Sequence, residues 1–292
     1  MLFDEVVDYS SEIYLSFGNR CSNVNCNHPS GNCSGNCANC LRQVHFGPNP
    51  SERVDYDCEK LIYKYVIDFT ERYKRNMQSF LSHIDMNAYP RFNILSIGCG
   101  AAPDLMAFEE SFPQHPLFYR GFDRNPKWYD IHTFIEGYAK NNGISAYFNR
   151  SDIFNIFLDT SYDWHNYNVI VVQYLISHLY NTGQSHRIRE LYDGFVKIVS
   201  QGLSHSPFLI VINDIDSYNK GRNLFHIFLN MLEDAGFVGT ALAYSSYPNG
   251  DLGKIRWGAS YRRLGQIDYN YRSTPFGIEG AALIIEITGR NI

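Results

Sequence analysis

The sequence predicts a doubly wound α/β fold: a mostly parallel, seven-stranded sheet covered by helices on both faces, preceded by a small cysteine-rich module and a bridging helix. Three observations carry this. From Phe92 onward, short apolar runs alternate with helix-period segments, the pattern of βαβ units. One run passes straight into Gly98-x-Gly100 and then Pro103, a strand–turn–helix junction. Ahead of it, apolar residues at intervals of three and four draw a single stripe along residues 51–88.

Taken in order, residues 1–50 hold the cysteines among Asn, Ser, Gly and Pro, a composition that builds turns. Residues 51–90 read as an amphipathic helix with Ser51 as its cap; Leu61, Tyr65, Phe69, Tyr73, Met77 and Phe80 lie on its apolar stripe. Residues 91–292 form the sheet domain. Its strands are expected at Asn93–Gly98, Leu117–Asp123, Ser145–Asn149, Asn168–Tyr174 and Phe208–Asp214, with a final pair at Val238–Tyr244 and Ala281–Thr288. The fourth and fifth are continuously apolar, as strands buried on both faces should be. Helices are expected at Pro103–Phe112, Pro126–Asn141, Gln184–Val199 and Tyr218–Ala235, and an insertion occupies about 245–280.

The chain has 292 residues, of which 45% are hydrophobic and 19% charged, so it can bury a core and does not have the composition of a disordered chain. Its 25 basic and 30 acidic residues give a net charge of −5, which argues against coating nucleic acid non-specifically. No apolar run reaches the roughly 18 residues of a membrane span. The first residues are acidic rather than signal-peptide-like, so a cytoplasmic setting is expected.

Glycines at 98 and 100 let the chain turn sharply and bring backbone amides to a ligand at the strand's carboxyl edge. Pro103 suits a first helical turn, where its missing N–H has no partner to lose. Asp123 ends the second strand, placed to accept hydrogen bonds from a ribose diol. Asp152 follows the third strand, where an acid can meet an adenine amino group; the alternative for each acid is a loop residue or helix cap.

These features resemble the class I S-adenosylmethionine-dependent methyltransferases, a Rossmann-like family, over roughly residues 90–290. The resemblance rests on Leu95-Ser-Ile-Gly-Cys-Gly100, on Gly121-Phe-Asp123 and on Asp152-Ile153. It implies that S-adenosylmethionine is the cofactor, that Gly98, Gly100 and Asp123 hold its methionine and ribose parts, and that Asp152 and Ile153 hold its adenine. It also implies a sheet whose last strand runs antiparallel and a fourth strand, Val169-Ile-Val-Val-Gln-Tyr-Leu175, that ends beside the methyl donor and places Gln173 among the cofactor-binding residues. The chain departs from the family's acid-x-Gly-x-Gly-x-Gly pattern at Ser96 and Ala102, and Asp104 is the residue offered to restore negative charge near the sulfonium. A nicotinamide enzyme would set a pyrophosphate on the helix start, where Pro103 and Asp104 are unsuited.

The fourth strand's end, Gln173-Tyr174-Leu175-Ile176-Ser177-His178, lacks the Asn/Asp-Pro-Pro-Tyr signature of base-amino methylation, and no Pro-Cys pair offers a thiolate. His178 is the candidate general base, with a helix-face histidine as the alternative. The cysteines read Cys21-x4-Cys26-x-His28-x4-Cys33-x3-Cys37-x2-Cys40, with His45 nearby. Cys21, Cys26, Cys33, Cys37 and Cys40 are ample for one tetrahedral zinc, and Cys37-x2-Cys40 has the spacing of a tight knuckle turn. Cys33-x3-Cys37-x2-Cys40 also matches the spacing that holds a [4Fe–4S] cluster in radical enzymes, which would need a barrel to follow.

The expected partner is RNA, then a protein or small molecule, reached through the metal module and residues 254–272. There Lys254, Arg256, Arg262, Arg263 and Arg272 interleave with Trp257, Tyr261, Tyr269 and Tyr271. An aromatic lid over the cavity is the alternative for that insertion, and a non-catalytic scaffold the alternative for the whole chain.

Overall fold

Side chains alternate across a strand, so a continuously apolar run must be covered on both faces. The structure, a computed structural model, bears this out; it describes residues 1–18, 37–46, 56, 58–203, 207–215, 224–245 and 280–291. Seven strands form one sheet: β1 (Phe92–Ile97), β2 (Leu117–Phe122), β3 (Ser145–Asn149), β4 (Val169–Gln173), β5 (Phe208–Ile215), β6 (Phe237–Ser245) and β7 (Gly280–Arg290). Their order is β3-β2-β1-β4-β5-β7-β6. The pairs β1–β2, β1–β4, β2–β3 and β4–β5 are parallel, while β7 runs antiparallel to both neighbours. The expected closing hairpin is therefore present.

Successive residues of each central strand enter different cores. Ile94, Val169, Val171, Leu209 and Val211 join one cluster, and Leu95, Ile97, Ile170, Val172, Ile210 and Ile212 join the other. The first is covered by α1 (Leu2–Ser16), α3 (Glu59–Leu81), α4 (Pro103–Ser111) and α5 (Tyr129–Asn141). Helices α6 (Ile153–Leu158), α7 (Leu175–Asn181), α8 (His186–Gly202) and α9 (Phe225–Asp234) cover the second.

Two expectations about the N-terminal part are corrected. Residues 2–16 do not belong to a separate module: they form α1, which buries Leu2, Phe3 and Val6 in the main core and stacks Tyr9 on Phe134 of α5 at 4.4 Å. Nor does α3 bridge two bodies. It packs against α1 and α4 inside the domain, with Ile62, Val66, Met77 and Phe80 fully buried. Its start is Glu59 after Cys58, so the proposed Ser51 cap lies outside the described residues. Likewise Cys37-x2-Cys40 is one turn of a helix, α2 (Cys37–Phe46), rather than a knuckle turn. Cys37 and Leu41 pack with Leu61 and Phe69 of α3 in a third, smaller cluster. No described helix is long and apolar enough to cross a membrane.

A candidate cofactor cavity at the carboxyl edge

After β1 the chain moves to β2 and β3 on one side, then returns to place β4 on the other. The crevice at such a reversal, outside the strands' carboxyl ends, is where doubly wound sheets bind ligands. A cavity of about 530 Å³ opens there, within the usual range for ligand sites. Gly98, Gly100, Asp123, Asp152, Ile153, Gln173 and His178 all line it. Seven residues chosen from sequence, spread over 81 positions, are thus brought to one place.

The glycine turn explains itself by dihedral angle. Gly98 has φ +68° and Gly100 φ +50°, a region open to glycine and costly for others. Ala102, standing where the family pattern has its third glycine, adopts φ +54° as well, so the conformation is kept at a strain of roughly 1–2 kcal/mol. The turn is held from three directions. Gly98 and Cys99 donate to the Phe122 carbonyl at 2.8 and 3.1 Å. The Gly100 N–H donates to Asp123 Oδ2 at 3.0 Å, while Asn125 N–H donates to Oδ1 at 2.9 Å. Behind it, His132 Nε2 lies 2.7 Å from the Gly100 carbonyl oxygen.

Burial pushes the Asp123 carboxyl up to about 6, against the pull of the Asn125 and Gly100 amides. Burial drives His132 the other way, to about 4. His132 is therefore neutral at pH 7, and only its Nε2–H tautomer can donate to Gly100. Sequence reasoning missed His132: nothing in the α5 pattern distinguishes it from a core-facing residue.

Asp104 is a correction. It is 1% exposed and does not line the cavity. Its carboxylate accepts from Tyr119 Oη at 3.1 Å and is also bonded by Ser96, inside the core behind the turn. It is not placed beside a sulfonium, and its charge is not presented to a diphosphate either. Pro103, lacking an N–H, remains the objection to a pyrophosphate at this helix start.

Asp152 lines the cavity but is already engaged. Oδ1 caps α6 by accepting from Phe154 N–H at 3.1 Å, and Oδ2 pairs with Arg187 Nη1 at 3.0 Å. The helix-cap alternative is thus present, in a side chain that also lines the cavity. Arg187 of α8 lies over the Phe154 ring at 3.9 Å and itself lines the cavity, a residue the sequence did not single out.

On the opposite wall, Gln173 Oε1 accepts from Asn213 Nδ2 at 3.2 Å. Tyr174 turns the chain from β4 into α7 with φ +56°, its N–H donating to the Asn213 carbonyl at 2.7 Å. Tyr65 and Tyr73 of α3 and Trp128 complete an aromatic wall. Tyr65 meets Trp128 edge-on at 5.7 Å, and Tyr73 meets Tyr174 at 4.3 Å. Burial holds both Tyr65 and Tyr73 well above the ordinary phenol range, so their hydroxyls stay protonated.

Of the proposed metal ligands, Cys37 and Cys40 are described, whereas Cys21, Cys26 and Cys33 lie outside the described residues, as does the 254–272 segment. Among the described residues no group of three or more His, Cys, Asp or Glu side chains is arranged to hold a metal ion.

No family model matches the sequence, and no curated protein matches it. Solved structures do show similarity. The plantazolicin methyltransferase BpumL in complex with SAH is 14% identical, the match covering 96% of this chain and 98% of that one, with a TM-score of 0.44. A SAM dependent methyltransferase from Aquifex aeolicus is 10% identical over 79% of this chain and 98% of that one, TM-score 0.42. The mitomycin 7-O-methyltransferase MmcR is 13% identical over 98% and 68%, TM-score 0.39.

Proposed function

We propose that the chain is an S-adenosylmethionine-dependent methyltransferase. One observation carries the reading: a strand–glycine turn–helix junction tied to the carboxylate that ends the next strand, both facing one cavity at the sheet's reversal point.

The residues present suit the group. Each Asp123 oxygen accepts one backbone N–H, and a carboxylate offers about four lone-pair sites, so two remain for a ribose diol. Ile153 and Phe154 supply apolar surface for a flat base, with Asp152 at its edge. Gly98 and Gly100 keep side chains out of the methionine end. When bound, the cofactor supplies a methyl group on a sulfonium, transferred as the sulfur becomes a neutral thioether. The protein's task is proximity and alignment, which can account for much of such a rate enhancement. Gln173 is positioned for this: Asn213 holds its carbonyl oxygen, so its amide N–H₂ is left to the cavity side.

For the acceptor, RNA is our first reading, then protein or small molecule, held by the Cys-rich segment and residues 254–272; its support is the alternation of cations and rings in the sequence. A zinc ion in the Cys-rich segment is proposed on the same footing. Cys37 and Cys40, one helical turn apart, can supply two of four thiolates; an iron–sulfur cluster is the alternative.

Calorimetric titration with S-adenosylmethionine and S-adenosylhomocysteine (SAH), on protein whose zinc and iron have been quantified, tests the proposal. Micromolar binding that is lost in Asp123→Ala is expected. Folded protein that binds neither ligand would replace the enzyme reading with a scaffold.

A further inference from the structure

The proposed cofactor contacts leave one wall and one rim of the cavity unassigned. The wall is a row of rings: Tyr65 meets Trp128 at 5.7 Å and Tyr73 at 6.1 Å, and Tyr73 meets Tyr174 at 4.3 Å. All four line the cavity beside Val44 and Tyr56, a stretch of lining with no Lys, Arg, His, Asp or Glu in it. The wall adjoins the glycine turn, since a Cβ placed on Gly100 would stand 3.5 Å from Trp128 Cζ2.

The wall runs into the rim at the short turn Pro126–Trp128. Trp128 is buried against the cavity, while Lys127 before it and Tyr129 after it are exposed. Two arginines stand with Lys127. Arg124 lines the cavity next to Asp123, and Arg150 precedes Ser151, which also lines it. Strand register brings them to one edge: Phe122 of β2 pairs with Asn149 of β3, and the Asp123 N–H donates to the Asn149 carbonyl at 3.0 Å. Arg150 Cζ lies 3.9 Å from the centre of the Tyr129 ring. Arg124, Lys127 and Arg150 are all exposed, and none forms an ion pair with a described residue, although the chain as a whole is acidic. Of the nearby acids, Asp152 is paired with Arg187, and the charge of Asp130 is felt at Tyr63 of α3. A cluster of unpaired cations on an acidic chain is an electrostatic footprint for a polyanion.

We infer that rim and wall together dock a single strand of nucleic acid, with phosphates on Arg124, Lys127 and Arg150 and one unstacked base against the rings. The inference rests on the methyltransferase reading and specifies its acceptor from residues at the cavity itself. Exposed cations spaced along a rim suit a backbone of repeated charges. Uncharged rings inside suit the face of a base, and that face is free only where the strand is unpaired or the base is turned out of its stack. A small neutral ring would use the wall and leave the cations idle; an acidic peptide would use the cations and leave the wall. Because the wall meets the glycine turn at Trp128, a base held there lies beside the end of the cavity proposed for the methyl donor.

The test is fluorescence anisotropy on full-length protein saturated with SAH. The probes are labelled oligouridylate, oligothymidylate, a DNA duplex and a base-free sugar–phosphate strand, all of equal length. With three cations engaged, single-strand affinity should fall roughly twentyfold between about 50 and about 200 mM salt. Lys127→Ala and Arg150→Ala should each cut that dependence to roughly sevenfold. Neither residue lines the cavity, so SAH affinity in these variants serves as the check that the fold is intact. The base-free strand should bind at least about tenfold more weakly, the worth of one stacked base. Tighter binding of oligouridylate supports an RNA acceptor, and of oligothymidylate a DNA one. The inference is overturned if the duplex or the base-free strand binds as tightly, or if both variants keep the full salt dependence. It is also overturned if SAH-loaded protein binds no single strand, which would leave the methyltransferase reading standing with a protein or small-molecule acceptor. Failure of SAH itself to bind sinks the methyltransferase reading and this acceptor assignment with it.

Discussion

Cofactor affinity should carry the titration of Asp123. Ribose hydroxyls donate, so they need the ionised carboxylate, and burial holds that group at about 6. The sign follows from the shift. A carboxyl raised in the folded protein is protonated as pH falls through 6, and cofactor binding must then expel that proton. With a pKa of about 6, roughly nine-tenths of the sites are ionised at pH 7 and one-tenth at pH 5, so affinity should fall about tenfold between those values. Calorimetry at pH 5 in buffers of different ionisation enthalpy should register release of close to one proton per cofactor bound. Asp104 and Asp214 are also held up near 6 by burial, but neither lines the cavity, so Asp123→Asn isolates the effect. In that variant the amide N–H₂ cannot accept from the ribose hydroxyl on its side, losing one charge-assisted bond to the cofactor of about 2 kcal/mol, about thirtyfold at pH 7. Its affinity should also no longer vary with pH. Equal wild-type affinity at pH 5 and 7, or an unchanged pH slope in Asp123→Asn, would refute the assignment of Asp123 to the ribose.

Three further substitutions have expected outcomes. His132→Phe keeps a ring between Trp128 and Phe148 but loses the bond to Gly100, so cofactor affinity should drop by about fivefold, one neutral hydrogen bond. Because the His132 pKa is lowered from 6.5 to about 4, its contribution to stability is present above pH 6.5 and lost as pH falls through 4; wild type should lose up to about 3 kcal/mol relative to His132→Phe between those pH values in urea unfolding. Ala102→Gly should raise the melting temperature slightly, since relief of a φ of +54° outweighs the entropy that glycine adds to the unfolded chain; a lower melting temperature would show that Ala102 is unstrained. Arg187→Ala removes both the Asp152 pair and the cation over Phe154, and a several-fold loss of affinity for adenosine-containing ligands is expected, measured against adenosine itself.

The central strands β4 and β5 are legible because each is a continuous apolar run that no single-faced element would need; Val169–Gln173 and Phe208–Ile215 fall within one residue of expectation. The N-terminal helix was not. Its apolar residues Leu2, Phe3 and Val6 alternate with acids, and they find their partners on α3 and α5, far away in sequence. Cys37-x2-Cys40 was ambiguous in principle, because three residues span a knuckle turn and a helical turn alike. Among site residues, the glycines and Asp123 were readable since backbone conformation and strand register fix them. Asp104 was misplaced because its partner, Tyr119, lies on another strand. Tyr65 and Tyr73 were seen as core stripe: helical periodicity shows which face is covered, but not whether protein or ligand covers it.

Backbone strain locates the site independently of any motif. Among the described residues, the non-glycine side chains with positive φ are Ala102 and Tyr174. One follows β1 and the other follows β4, the two adjacent strands at which the sheet order reverses. Each costs roughly 1–2 kcal/mol, a sizeable fraction of a typical domain's net stability. Turns elsewhere in the described chain solve the same problem with glycine, as Gly143, Gly183 and Gly236 do. Ala102 lies behind the turn whose glycines face the cavity, and Tyr174 presents its ring to the cavity beside Gln173. A glycine at 174 would relieve the backbone but remove the ring that packs on Tyr73 and the hydroxyl that accepts from Asn76. Strain retained at both turns flanking one crevice, and at Tyr174 for a ring that faces it, is the pattern the proposed function requires: a binding site built into the fold rather than a fold that happens to contain a cavity.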